Sequence, residues 1–202
     1  MIGICSKCGN HNWDKEVMNG QVKCPKCGDT WKFNSLPLYI LTGCSGIGKT
    51  TTGIEIMKKQ MDVVVLDADM FYNIMPGATE EDYYAQVEQL ESLSKNIMQS
   101  GKPVLWTMAG NLDKLKHTYN SRFFSDIHCL ALVCDEDALR SRMTEGRGIV
   151  DEGWIKSSID YNNYFKTHTS LGDTEFDIYD TSEKSMSEVS DYVIGWMKRT
   201  DI

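Results

Sequence analysis

The sequence has no long hydrophobic run and no leader-like beginning. No apolar stretch approaches the roughly 18 residues that a helix needs to cross a bilayer, and cysteine and lysine occur within the first seven residues. These absences argue against a membrane-spanning protein and against a secreted one. We therefore expect a soluble, cytoplasmic protein with no membrane partner.

An excess of positive charge is also absent. The 202 residues carry a formal net charge of −8, whereas proteins that bind duplex nucleic acid usually carry a basic surface. Residues 1–36 hold five lysines and three acids, which gives +2 and leaves −10 for the remainder. A large nucleic-acid surface is not expected, and the first 36 residues are the part that would touch nucleic acid if any does.

No internal repeat and no low-complexity tract occurs. A hydrophobic content of 41% with 25% charged residues is ordinary for a globular protein, and the length predicts one principal domain with a small appendage. Seven cysteines are present. In a reducing cytoplasm they are expected to be metal ligands or free thiols rather than disulfides.

Four of the cysteines form two C-x-x-C-G knuckles, at Cys5 and Cys8 and at Cys24 and Cys27. This spacing is typical of a metal site with four thiolate ligands, and so short a segment needs the metal for its stability. We predict a zinc ribbon over residues 1–36, with iron as the alternative because tetrahedral sulfur suits both. Asn19-Gly20 predicts a hairpin turn within it.

A glycine-rich loop follows the first predicted strand, which begins at Leu38. The segment Gly43–Thr50 fits G-x-x-x-x-G-K-[ST], whose backbone N–H groups and helix N-terminus cradle a polyphosphate. Lys49 is expected to reach the β- and γ-phosphates and Thr50 to bind Mg²⁺. The predicted nucleotide-binding residues are Gly43, Ser45, Gly46, Ile47, Gly48, Lys49, Thr50 and Thr51.

Two carboxylates follow the second predicted strand, an unbroken apolar run over residues 63–66 that is typical of burial on both faces. Asp67 and Asp69 would lie at the carboxyl end of a parallel strand, where ligands bind in open α/β sheets. We expect one of them to hold Mg²⁺ or its water and the other to accept a proton from an attacking hydroxyl. The alternative is a solvated strand end without a function.

Hydrophobic periodicity predicts the later elements. We expect strands over 104–108, 128–134 and 176–179, and helices over 79–100, 136–144, 154–169 and 185–199. Residues 70–78 are expected to be irregular, with aromatic side chains that could floor an acceptor pocket. The helix predicted over 79–100 has an apolar stripe that we expect to face the core. The stripe consists of Tyr83, Val87, Leu90, Leu93 and Ile97.

Three arginines cluster around a glycine-containing segment between two predicted helices. Arg142 and Arg147 are predicted to act in a lid over residues 143–151, because arginines that close over γ-phosphate oxygens supply planar donors and exclude water. Arg140 is expected to contact the nucleotide. The alternative is a helix end with ordinary surface arginines.

From Leu38 onward the chain resembles the P-loop small-molecule kinases, which include nucleoside and nucleotide kinases and their gluconate, adenylylsulfate and antibiotic-modifying relatives. The resemblance is carried by Gly43–Thr50, "VVVLDADMF" at 63–71, "LALVCDEDALRSRM" at 130–143, Arg147 and Asp180-Thr181.

The resemblance implies an α/β domain over residues 37–202, with a five-stranded parallel sheet in the order 2-3-1-4-5 and helices on both faces. It also implies transfer of the γ-phosphate of ATP, with Mg²⁺, to a small-molecule acceptor. The resemblance further implies that Asp69 activates the acceptor hydroxyl and that Asp67 lies beside the Mg²⁺. Arg142 and Arg147 would belong to the lid. No arginine suited to hold an acceptor phosphate precedes the third strand, which favours a hydroxyl acceptor.

Two other functions remain open at this point. Asp135-Glu136 follows an apolar strand and imitates a Walker B motif, which suggests an ATPase that couples hydrolysis to conformational change. The ribbon suggests a polynucleotide end kinase that binds nucleic acid. A GTPase switch is disfavoured because no N-K-x-D motif occurs, while the choice of ATP or GTP, the acceptor and the oligomeric state stay open.

Overall fold

The computed structural model describes residues 2–59, 62–75 and 77–200. The sequence also predicts a helix over residues 51–61 after the phosphate loop and a Pro-Gly turn at 76 and 77. Residues 60, 61 and 76 of these two predictions lie outside the described residues. The strands of the ribbon are β1 (Glu16–Met18), β2 (Gln21–Lys23) and β3 (Thr30–Lys32), paired in that order as an antiparallel sheet.

The hairpin between β1 and β2 turns at the predicted position. Asn19 and Gly20 have φ angles of 52° and 70°, and two consecutive residues in the left-handed region are what a two-residue type I′ turn requires. Asn-Gly supplies both at little cost, so the prediction is confirmed. We did not expect β3, whose three residues are too short to show a period.

A second, parallel sheet forms the larger part of the molecule. Its strands run parallel in the spatial order β5-β6-β4-β7-β10, which is 2-3-1-4-5 when they are counted along the chain from β4, as the resemblance implies. A small hairpin, β8 paired with β9, was not predicted. The strands are β4 (Leu38–Thr42), β5 (Val64–Asp67), β6 (Val104–Thr107), β7 (Ile127–Val133), β8 (Ser170–Leu171), β9 (Thr174–Glu175) and β10 (Asp177–Asp180).

Within the described residues five α-helices surround this sheet: α1 (Lys49–Lys58), α2 (Glu80–Ile97), α3 (Glu136–Thr144), α4 (Glu152–Thr167) and α5 (Met186–Thr200). The patterns Thr79-x-x-Asp82 and Ser185-x-x-Glu188 predict helix caps, and two of the helices begin there. Thr79 Oγ1 accepts the Asp82 N–H at 3.2 Å and Ser185 Oγ accepts the Glu188 N–H at 3.3 Å, which satisfies donors that a helix start leaves free. None of the described helices is long and apolar enough to span a bilayer.

The segment after β5 differs from the prediction. Residues 70–78 were expected to be irregular, but Ala68–Asn73 form a 3₁₀-helix. The carboxylate of Asp67 caps it by accepting the N–H of Asp69 at 2.9 Å, a local side-chain to backbone bond that aspartate favours at helix starts.

Apolar side chains of the central strands alternate between two cores. Tyr39 and Leu41 belong to the core on one face of the sheet, with buried residues of α1, α3 and α5. Leu38 and Ile40 belong to the other core, with buried residues of α2. Side chains point alternately to the two faces of a strand, and helices on both faces therefore bury the whole of β4.

The buried stripe of α2 is only partly the predicted one. Val87 and Leu90 are buried, but Leu93 is 38% exposed and Ser94 is fully buried in its place. A helix turns about 100° per residue, so position 94 returns to the face of 87 and 90 whereas position 93 does not. The indole N–H of Trp106 donates to Ser94 Oγ at 2.7 Å, which explains why a polar residue is tolerated there.

The ribbon packs directly on the second sheet's domain. Val22 of β2 is buried against Phe123, which lies in a 3₁₀-helix over Asn120–Phe123. The ring of Trp13 stacks on Tyr119 with centroids 5.7 Å apart, and the Lys15 N–H donates to the Tyr119 hydroxyl at 3.0 Å. Proline at 37 directly before the first strand, with no flexible linker, predicts that the ribbon packs on the rest of the chain, and these contacts show that it does.

Gly43, at the end of β4, provides a test of this architecture. Its φ is +135°, and a Cβ there would lie 2.6 Å from the carbonyl oxygen of Leu132 in β7. Gly101 also has a positive φ, +84°, but a Cβ there meets no heavy atom within 4 Å. We expect Gly101→Ala to lower the free energy of unfolding by only roughly 1–2 kcal/mol, the cost of placing alanine in the left-handed region. Gly43→Ala should lower the free energy of unfolding clearly more, because strands β4 and β7 must also move apart to admit the Cβ. Urea unfolding measures both, and equal losses would contradict the close approach.

Candidate active site

The phosphate loop joins β4 to α1. Gly46 and Gly48 have φ angles of +81° and +109°, which glycine adopts without penalty. A Cβ at Gly46 would also lie 2.6 Å from Cγ of Met143 on α3, so this turn accepts only glycine. Because α1 begins at Lys49, its unpaired N–H groups and the positive end of its dipole lie at the loop.

A cleft of about 1090 Å³ opens above this loop, which is ample for a nucleotide. It brings together nearly all of the predicted site. Gly43 is not among the lining residues, but its carbonyl oxygen holds Lys49. The predicted residues that line the cleft are Ser45, Gly46, Ile47, Gly48, Lys49, Thr50, Thr51, Asp67, Asp69, Arg142 and Arg147.

The ammonium group of Lys49 is fixed by the loop itself. Its Nζ donates to the carbonyl oxygens of Gly43 and Cys44, both at 2.9 Å. Burial lowers the pKa of Lys49, while the nearby carboxylates of Asp69 and Asp67 oppose that change. A cation held at this position is the group that phosphate oxygens need.

Asp67 and Asp69 lie at the same edge of the sheet as the loop. The hydroxyl of Thr50 donates to Asp67 Oδ2 at 2.7 Å, so an alcohol and a carboxylate oxygen stand together as Mg²⁺ prefers. Burial raises the pKa of the Asp69 carboxyl, and the charge of Asp67 raises it further. A carboxylate with a raised pKa is better suited to accept a proton than an ordinary one.

A second, smaller cavity of about 50 Å³ adjoins Asp69. Asp69 therefore lines both spaces, with the phosphate loop on one side and this cavity on the other. Two amide side chains line it, those of Gln86 and Asn111, and neither belongs to a motif by which sequence reasoning could have found it. The remaining lining residues are Ala68, Phe71, Val87, Leu90, Met108, Ala109 and Gly110.

The three predicted arginines have different surroundings. Arg147, in the connection between α3 and α4, donates to the Ser45 hydroxyl at 3.1 Å. Arg142 donates to the carbonyl and hydroxyl oxygens of Thr181 at 2.7 and 3.0 Å. Arg140 forms an ion pair with Glu152 at 3.0 Å and does not line the cleft. We therefore leave Arg140 out of the proposed site.

The Walker B-like pair lies elsewhere. Asp135 pairs with Lys166 at 3.3 Å, and neither Asp135 nor Glu136 is among the residues that line the cleft. Two lining residues that we did not predict are Trp154, at the start of α4, and Lys184, after β10. The position of Lys184 past the end of a strand was a usable signal, because loops at the carboxyl ends of parallel strands meet at one edge.

The four ribbon cysteines form a separate centre. Their sulfur atoms all lie within 4.8 Å of one another, with Cys5–Cys27 and Cys8–Cys24 separations of 3.6 and 3.7 Å. Four 2.3 Å bonds to a tetrahedral zinc require sulfur separations of about 3.8 Å, so the residues fit the ion. Burial disfavours the thiolate of Cys24, but hydrogen bonds from the backbone of Cys27 and Lys26 outweigh it and lower the pKa.

Metal content tests the ribbon centre. We expect one zinc ion per chain, and Cys24→Ser should lose it because three thiolates bind more weakly than four. Cys129→Ala is the matched control: Cys129 is a free cysteine in the core of the sheet, and its loss should leave the zinc in place. Elemental analysis of the purified proteins measures both variants. Stoichiometric iron, or zinc retained by Cys24→Ser, would contradict the assignment.

Nucleotide affinity tests the arginines. Arg147→Ala should weaken binding of Mg²⁺ with a non-hydrolysable ATP analogue about tenfold or more, the usual effect of removing a charged hydrogen-bond donor. Arg140→Ala removes an equal charge nearby but outside the cleft and should change the affinity less than about twofold. Isothermal calorimetry measures both, and equal effects would mean that only the general charge matters.

No protein-family model matches the sequence, and no curated protein matches it significantly. Solved structures do match its fold. A gluconokinase from Sinorhizobium meliloti 1021 gives a TM-score of 0.59 at 14% identity, covering 85% of this chain and 95% of that chain. A sugar kinase from Janibacter sp. HTCC2649 gives 0.59 at 15% identity, over 81% and 95% of the two chains.

A third likeness is to the tunicamycin resistance protein of Deinococcus radiodurans, with a TM-score of 0.55 at 15% identity over 80% of this chain and 95% of that one. At such identities the likeness concerns the fold alone. Together with the phosphate loop and the sheet order, these comparisons show that the chain has the fold of the P-loop small-molecule kinases.

Proposed function

We propose that the protein is a phosphotransferase that moves the γ-phosphoryl group of ATP, with Mg²⁺, to the hydroxyl of a small-molecule acceptor. The observation that carries this proposal is the position of Asp69, which lines both the nucleotide cleft and the adjoining small cavity. A carboxylate between two such spaces lies where an acceptor hydroxyl would meet a terminal phosphate.

Phosphoryl transfer depends mainly on positioning and on stabilising charge. The backbone of the phosphate loop and Lys49 would hold the phosphates, and Arg147 would donate to γ-phosphate oxygens from the opposite side. Thr50 and Asp67 would hold Mg²⁺, which supplies positive charge to the phosphate oxygens when bound. Arg142, tied to Thr181, would keep the end of α3 against the loop.

Asp69 would act as the general base. It would accept the proton of the acceptor hydroxyl while that oxygen attacks the γ-phosphorus and ADP leaves. Burial and the charge of Asp67 raise the pKa of Asp69, which makes its carboxylate a stronger base, while the nearby charge of Lys49 opposes this rise. The fold likeness to sugar and gluconate kinases supports a small molecule as the acceptor.

The substitution Asp69→Asn tests this role. It keeps the size of the side chain and removes the basic oxygen, so acceptor-dependent transfer should fall about a hundredfold or more. Affinity for Mg²⁺ with ATP should stay within about twofold, because Asp67 and Thr50 are unchanged. Release of ADP and labelled phosphate in the product measure transfer, and calorimetry measures affinity.

Asp135→Asn is the matched control. The residue is an acid at the end of another strand, outside the cleft, and transfer should be unaffected. If Asp135→Asn instead stopped acceptor-free ATP hydrolysis while Asp69→Asn did not, an ATPase that drives conformational change would replace the kinase. Affinity for single-stranded RNA, measured at several salt concentrations, tests the polynucleotide-kinase alternative, because phosphate contacts make this affinity fall with salt.

A further inference from the structure

The small cavity beside Asp69 has an unusual charge balance. Its polar side chains are the Asp69 carboxylate and the amides of Gln86 and Asn111, and its other walls are apolar side chains or backbone, among them Phe71 and Leu90. No cationic side chain lines it among the described residues. A carboxylate or phosphate group placed there would lie beside the Asp69 carboxylate, and no cationic side chain of the cavity wall would offset the repulsion.

The lack of cationic side chains continues along the chain on both sides of β5. Residues 60–94 contain no lysine, arginine or histidine and eight acids. The residues of this stretch that the structure does not describe, a glutamine, a methionine and a proline, carry no charge. Movement of this segment toward the cleft would therefore bring no cation to the cavity.

The cations of the nearby cleft do not reach the small cavity. Lys49 donates to the carbonyl oxygens of the phosphate loop and Arg147 to Ser45, while Arg142 is tied to Thr181. These three residues and Lys184 line the large cleft, and none of the four lines the small cavity. Lys114, in the segment after Asn111, is paired with Glu80 and Asp113 at 2.9 and 3.0 Å.

From these observations we infer that the acceptor is a small hydroxyl compound that bears no carboxylate or phosphate group. The inference rests on the proposed function and narrows its substrate class. The apolar floor and the two amides suit an uncharged alcohol, whose other hydroxyls can donate to and accept from amide groups. With an uncharged acceptor in the cavity, no further anion lies beside Asp69 on this side, and its carboxylate can act as the base.

Matched acceptor pairs test the inference. In each pair one CH2OH group is replaced by a carboxylate and the rest of the molecule is kept: glucose and glucuronate, ribitol and ribonate, glycerol and glycerate. Acceptor-dependent ADP release and phosphorylated product are measured for each compound with the full-length, zinc-loaded protein. For any pair that is turned over we expect kcat/KM of the uncharged member to be about 100-fold higher, the effect of a like-charge contact in a partly buried site.

A charge-adding variant locates the effect. Gln86→Arg places a cation in the cavity wall and should shift the ratio of uncharged to anionic kcat/KM at least about tenfold toward the anionic member. Gln89→Arg adds the same charge to an exposed position of α2 outside the cavity and should leave the ratio unchanged. Affinity for Mg²⁺ with ATP should be the same in both variants.

The outcomes distinguish a failure of this inference from a failure of the proposed phosphotransferase activity. Preference of the unmodified protein for the anionic member of a pair would overturn the inference and leave the kinase in place. Equal shifts in Gln86→Arg and Gln89→Arg would show that the cavity does not bind the acceptor. Binding of Mg²⁺ with ATP but no product from any pair would count against the phosphotransferase and remove the inference with it.

Discussion

The hydrogen bond between the Thr50 hydroxyl and the Asp67 carboxylate depends on how closely α1 lies against the sheet. Strand β6 separates β4 from β5, so the loop and Asp67 belong to strands that are not neighbours. Helix α1 bridges them, and Gly53 allows it: a Cβ at this position would lie 3.1 Å from Val65 and 3.2 Å from Thr107. The missing side chain brings the helix start within 2.7 Å of the acid.

Helix α2 connects the two halves of the molecule in a similar way. Val87 and Leu90, in the middle of α2, line the small cavity. Asn96, the second-last residue of α2, accepts the Ile2 N–H at 3.3 Å. The buried Lys95 bonds Asn120, and Phe123 of the same 3₁₀-helix packs on the ribbon. The ribbon is therefore built onto the C-terminal end of the helix whose middle turns face the proposed acceptor space.

Much of this architecture follows from local rules. The capped starts of α2 and α5, the Asn19-Gly20 turn and the strands of the parallel sheet were visible because each depends on a few adjacent residues. The errors have physical reasons as well. Ser94 and not Leu93 lies on the buried face of α2, where Trp106 from another element supplies its hydrogen bond. The 3₁₀-helix after β5 begins where Asp67 caps it.

The sequence by itself determined the phosphate loop, the four-thiolate centre and the acidic pair, because the spacing of residues along a short stretch imposes each of them. Only the tertiary structure decided which polar groups meet. It placed Arg147 on Ser45 and Arg140 on Glu152, and it put Gln86 and Asn111 around one cavity with Asp69. Such contacts join distant elements whose relative positions are set by helix and sheet packing, and no short pattern records them.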